Sequence, residues 1–182
     1  RVYMVGMGYA LIEEFVGAKK TTPLGSGNSD NSKGAAQLQE VVYKDLWEGI
    51  TLKYEAREEG IAESIYIIEP KADPERIRIR YNAEFEVQKD GSLKFKNPSG
   101  NGYFTMSAPQ AWQDIGGKRI KVDVAFKEID QNTIGFSLGA YDKAHTLIID
   151  PTYEWHTFYG SGSVDVGYGI AVDGSGNVYV TG

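Results

Sequence analysis

Asp173, Ser175 and Asn177 stand at alternate positions in "DGSGN" (173–177), the spacing of the first ligands of a calcium loop. The acidic residue that closes such a loop at its twelfth position does not follow within the sequence, which runs to Gly182. Asp-Gly and Gly-Asn steps also suit a hairpin turn, and the stretch is read as a turn with no metal and no cofactor. His145 and His156 are the only histidines, and neither sits in a pattern that would supply metal ligands or a triad. Glu13 and Glu14 are adjacent, so on a strand they point to opposite faces and cannot converge as an acid–base pair. No catalytic residue is assigned, and the chain is read as non-enzymatic. Trp47, Trp112 and Trp155, with 12 tyrosines, offer rings that could stack on sugars. Tyr54, Tyr81 and Phe85 instead fall on apolar strand faces and read as core. The stripe Arg76, Arg78, Arg80 reads as a solvated strand face.

The elements that must position these groups are strands. Gly numbers 22 of 182 residues and Cys none, so the chain is turn-rich and builds its core without disulfides or thiolate ligands. A formal charge of −6 argues against a nucleic-acid partner, and no apolar run is long enough to span a membrane as a helix. Arg1 in place of an initiator Met is taken as the sign of a processed or excised piece of a longer product.

"ITLKYEA" (50–56) and "RIRIRY" (76–81) alternate apolar and polar residues with the period of a half-buried strand. "AEFEVQKDGSLKFKN" (83–97) reads as a hairpin on Asp90-Gly91, with Phe85 and Val87 facing Leu93 and Phe95, and Glu84 and Glu86 opposite Lys94 and Lys96. A second hairpin is expected over 119–139. There Ile120, Val122, Val124 and Phe126 form one face, and Ile134, Phe136 and Leu138 the return. "IAESIYIIEP" (61–70) and "HTLIID" (145–150) are further strands, each closed by a proline. Residues 19–36 are rich in Gly, Ser, Asn and Thr and read as a surface loop, and 73–77 can hold one helical turn capped by Asp73. Eight to eleven short strands over residues 1–150 imply an antiparallel β-sandwich or barrel-like domain, with a boundary at Asp150-Pro151.

The remainder, "YEWHTFYGSGSVDVGYGIAVDGSGNVYVTG" (153–182), resembles the SBBP repeat of seven-bladed β-propeller proteins through "WHTFYG", "GSGSVDVGYGIAVD" and "GSGNVYVTG". "VVYKDLWEGITLKYE" (41–55), "IIEPKADPERIRIRY" (67–81), "DGSLKF" (90–95) and "LIIDP" (147–151) resemble the uncharacterised β-rich domain that precedes such repeats. The resemblance implies an all-β domain at 1–150, one propeller-repeat segment at 151–182, and a modular protein that is extracellular or at the cell surface.

The repeat ends in a hairpin of which both faces are largely apolar: Ile170, Val172, Val178 and Val180 on one, Ala171 and Tyr179 on the other. A lone hairpin is marginal in water, so these strands need a partner. Ile170, Val172, Val178, Tyr179 and Val180 are therefore expected to form an assembly interface, adding to a neighbouring copy as in donor-strand complementation and growing a filament. A structural or adhesion role follows, with carbohydrate binding to a polysaccharide as the alternative.

Overall fold

The computed structural model describes residues 1–6, 9–26, 38–56, 62–97, 102–156 and 169–181, which form eighteen strands in two sheets. One sheet runs in the order β13 (Val124–Asp130), β14 (Thr133–Leu138), β7 (Ile79–Tyr81), β2 (Tyr9–Phe15), β1 (Val2–Gly6), β18 (Val178–Thr181) and β17 (Gly169–Val172). The other sheet centres on β6 (Ala62–Ile68). On one side of β6 lie β5 (Ile50–Ala56), β4 (Glu40–Trp47) and β3 (Leu24–Ser26) in turn. Its other side is shared: β15 (Leu147–Asp150) pairs with Tyr66–Ile68, and β16 (Thr152–His156) with Ala62 and Glu63. β11 (Gln110–Ile115) and β12 (Lys118–Val122) extend the sheet beyond β15, and β10 (Tyr103–Met106), β9 (Leu93–Phe95) and β8 (Phe85–Val87) extend it beyond β16.

The sheets face one another through rings. Phe15 meets Tyr43 and Trp47 edge-on, Tyr66 meets Phe136, and Tyr81 meets Phe95 at 4.6 Å between centroids. This is an antiparallel sandwich, and the expected all-β class holds. Among the described residues one strand pair is parallel, β1 with β18.

Several expectations are corrected. The strand expected over 76–81 is confined to β7, because Asp73 caps a single 3₁₀ turn at Pro74–Arg76, accepting from the Glu75 N–H at 3.0 Å. The strand expected to run through 119–126 breaks at Asp123: β12 lies in one sheet and β13 in the other. Ile120 is consequently 48% exposed while Val122 is buried. Residues 24–26 of the expected loop form β3, and residues 27–36 lie outside the described residues. Pro151, by contrast, closes β15 at Asp150 as expected. It divides β15 from β16, and its carbonyl accepts from the Ser64 N–H at 3.0 Å and the Ser64 hydroxyl at 3.2 Å. Lacking an N–H of its own, Pro151 is the one residue of 147–156 that cannot donate to a ladder, which suits it to the break. The expected boundary at Asp150-Pro151 therefore falls where one segment crosses between two neighbours of β6.

Candidate functional site

Two places gather functional side chains: the seat of the terminal hairpin, and a polar cluster between the sheets.

The hairpin turns on Asp173. One carboxylate oxygen accepts from the N–H groups of Ser175 at 2.8 Å and Asn177 at 2.9 Å, the other from the Asn177 amide at 2.9 Å and the Tyr179 hydroxyl at 3.1 Å. These donors, the Asn177 side chain foremost, hold the Asp173 carboxyl down at about 2. Gly176 takes the left-handed conformation (φ 80°) that the turn needs and that side chains disfavour. The strands so joined do not stand alone. β18 lies parallel to β1, with Val2 beside Val178, Tyr3 beside Tyr179 and Met4 beside Val180. Val2, Met4, Val178, Val180 and Ile170 are each buried to within 1%, whereas Val172 packs on the core in part. On the outer face Tyr3 and Tyr179 stack with centroids 5.1 Å apart and planes within 13°. Of the five residues expected at an interface between copies, Ile170, Val178 and Val180 thus sit in the core of their own chain, Val172 lies at its margin, and Tyr179 stacks on Tyr3. The partner the hairpin requires is present in cis.

The second cluster was not anticipated. Leu11, Glu13 and Phe15 alternate along β2, and Glu13 is carried into the core with 0% exposure while Glu14 points outward to pair with Arg1. The Glu13 carboxylate accepts from Tyr54, from Tyr81 at 3.0 Å, and from Tyr153; the Tyr81 and Tyr153 hydroxyls also meet at 2.7 Å. Tyr54 and Tyr153 come from one sheet, Glu13 and Tyr81 from the other, so the cluster ties the layers together. Burial pushes the Glu13 carboxyl above the ordinary glutamate range, against the pull of the three phenols. Burial and the Glu13 charge push all three phenols well above theirs. Sequence alone separates Glu13 from Glu14 but does not say which one turns inward; the apolar neighbours Leu11 and Phe15, two residues to either side, were the available signal.

The remaining candidates disperse. Trp47 is buried and its indole N–H donates to the Val16 carbonyl at 3.1 Å. Arg119 lies 4.4 Å over the Trp112 ring. The backbone of Trp155 and His156 pairs with β10. The three tryptophans thus sit on three different strands, β4, β11 and β16. His145 does not begin a strand: it lies in a turn before β15, its Nδ1 3.0 Å from Asp142. Arg76 pairs with Glu48 at 3.1 Å, and Glu84 with Lys96 at 3.1 Å.

Comparison with known families bears on both parts. Residues 13–152 match the family described as Domain of unknown function (DUF7948), and residues 154–182 match a beta-propeller repeat. The chain belongs to the DUF7948 family. No curated protein and no solved structure matches it. In this DUF7948 chain the stretch that matches the family begins at Glu13, so β1 lies before it, and β1 is the strand on which the repeat's hairpin is seated.

Proposed function

We propose that this chain is a non-enzymatic structural and adhesion module of an extracellular or cell-surface protein, which holds a propeller repeat by strand addition and self-associates by exchanging that repeat between copies. The observation that supports this reading is the parallel pairing of β18 with β1. It inserts the repeat into the domain's sheet, and it uses contacts that an identical hairpin from a second copy would reproduce. Edge chemistry supports it further. β12 carries Lys118, Arg119 and Lys121, and β13 carries Lys127 and a bulge between Glu128 and Asp130, features that discourage strand addition. β17 (Gly-Ile-Ala-Val) carries no charge, and its outer edge meets Leu38 in a single bridge.

Cysteine cross-linking tests the exchange. Tyr3→Cys with Tyr179→Cys introduces the only two cysteines, side by side on paired strands. Oxidation at high protein concentration should give an interchain ladder on non-reducing gels. Deleting residues 164–182 should abolish polymers by light scattering while the circular dichroism of the sandwich persists. Intrachain bonds alone at every concentration would sink the exchange and leave the hairpin as a fixed part of its own domain.

A further inference from the structure

A cleft of about 440 Å³ opens where the domain meets the turn of the repeat, within the size range of small-ligand sites. Its wall combines three kinds of surface. Phe15, half-buried and set edge-on to Tyr43 at 5.3 Å, supplies an aromatic face. Ser175 and Asn177, from the repeat's turn, supply hydroxyl and amide groups. Lys19, Lys20, Arg80 and Arg1 supply positive charge, against Glu14 as the one acidic residue of the lining.

The pairing of these charges is uneven. Arg1 pairs with Glu14, and Lys19 with Asp45. Lys20 and Arg80 form no ion pair among the described residues, although Asp130 is within electrostatic reach of Arg80. Arg80 lies directly across from Glu14 in the β2–β7 register and is exposed. A chain of net charge −6 thus gathers four cations around one cleft, two of them without an ion pair among the described residues.

We propose that this cleft binds a carboxylated sugar, a uronate unit of an acidic polysaccharide. The ring face stacks on Phe15, the hydroxyls meet Ser175 and Asn177, and the carboxylate is held by Arg80 and Lys20, Arg80 offering a two-pronged contact. A neutral sugar would leave both cations unused, and a bare inorganic anion would leave the aromatic face unused. The Arg76–Arg80 stripe, read from sequence as solvated, therefore contributes its last member to a site. This gives the surface module a ligand and rests on that reading only for its setting. Binding is measured on the monomeric chain, so it stands or fails separately from hairpin exchange.

The test is a titration of the isotopically labelled chain, followed by amide shifts and calorimetry. The ligands are a galacturonate trisaccharide, the corresponding neutral galactose trisaccharide, a glutamate-rich peptide and sodium sulfate. The uronate should shift amides of residues 14–21 and 175–177, and its affinity should fall with salt. Lys20→Ala and Arg80→Ala should each weaken it at least tenfold, while Lys121→Ala, at the far sheet edge, should leave it unchanged. Four outcomes would overturn the proposal: no shift in the cleft; equal affinity for the neutral sugar; tighter binding of the peptide or of sulfate; or wild-type affinity in both variants.

Discussion

Two hairpins of this molecule are built alike and seated differently. β8–β9 turns on Asp90, whose carboxylate accepts from the Ser92 N–H at 3.0 Å and hydroxyl at 2.7 Å, with Gly91 at φ 85°. β17–β18 turns on Asp173 with Gly176 at φ 80°. Each buries alternate residues: Phe85, Leu93 and Phe95 in the first, Ile170, Val178 and Val180 in the second. Beyond the turn they diverge. β9 pairs antiparallel with β10, the next strand along the chain. β18 pairs parallel with β1, at the other end of the sequence, and parallel strands can never be joined by a tight turn. Turn chemistry and alternation are local and make the hairpin. The seat is a long-range choice that closes a loop of most of the chain, with the entropy cost such closure carries.

If both hairpins belong to one cooperative fold, core deletions in either must lower the same transition. Phe95→Ala, at a ring fully buried between Tyr81 and Phe85, should cost about 3–5 kcal/mol in denaturant titration. Val180→Ala should cost less, about 1.5–3 kcal/mol, and shift the same midpoint. A Val180→Ala midpoint equal to wild type, beside a destabilised Phe95→Ala, would mean that the repeat unfolds separately and that β1–β18 pairing adds nothing to the sandwich.

The same contrast governs what was legible in sequence. β5 coincides with the alternating stretch 50–56, because Ile50, Leu52 and Tyr54 face a core on one side only. The register Phe85–Phe95 and Glu86–Lys94 is also as the pattern implies, although Val87, at the end of an edge strand, is 44% exposed. Legibility fails where a strand changes sheets, as at Asp123, since alternation continues through the break while the buried side does not. It fails as well at β1, where "VYMVG" offers no charged residue to mark an outer face and nothing local points to β18, its parallel neighbour. The Glu13 cluster was hidden for a related reason: three tyrosines from β5, β7 and β16 converge only once two sheets have stacked.

Titration separates the core from the terminal turn by sign. Burial raises the folded Glu13 carboxyl above its ordinary value of 4.5, so the folded state holds its proton more tightly than the unfolded chain. Its contribution is fully present below that value and is lost as pH rises towards the folded pKa. Asp173 behaves oppositely. Its folded pKa of about 2 lies below the ordinary 3.8, so its contribution is present above 3.8 and is lost as pH falls towards 2. Glu13→Gln should flatten the alkaline-going loss, matching wild type near pH 4 and exceeding it at neutral pH by thermal melting. An acid-going loss that Glu13→Gln removes would show instead that the three phenols favour the carboxylate. Asp173→Asn should erase the acid limb of the hairpin's own signals. Asp90→Asn should do so more weakly at β8–β9, because two bonds from Ser92 reach the Asp90 carboxylate where four donors reach Asp173, although the Asp90 pKa is also lowered.

The smallest expected effect is that of calcium. Asp173, Ser175 and Asn177 have the ligand spacing of a calcium loop, and a bound ion would compete for the carboxylate that organises the turn. Both Asp173 oxygens are already engaged, each by two donors: the Ser175 and Asn177 N–H groups on one, the Asn177 amide and the Tyr179 hydroxyl on the other. A calcium ion would have to displace hydrogen bonds from within the turn and find its remaining oxygens elsewhere, since sites for this ion take six to eight. The Asp90 turn carries no such spacing and serves as the internal control. Melting curves in excess chelator and in millimolar calcium should therefore superimpose, for wild type and Asp173→Asn alike. Saturation at a hundred times the dissociation constant would stabilise the fold by about 2.7 kcal/mol, an effect well above the resolution of a melting curve. A rise in midpoint that Asp173→Asn abolishes and Asp90→Asn preserves would make the second hairpin a metal loop, and its likeness to the first would end at the backbone.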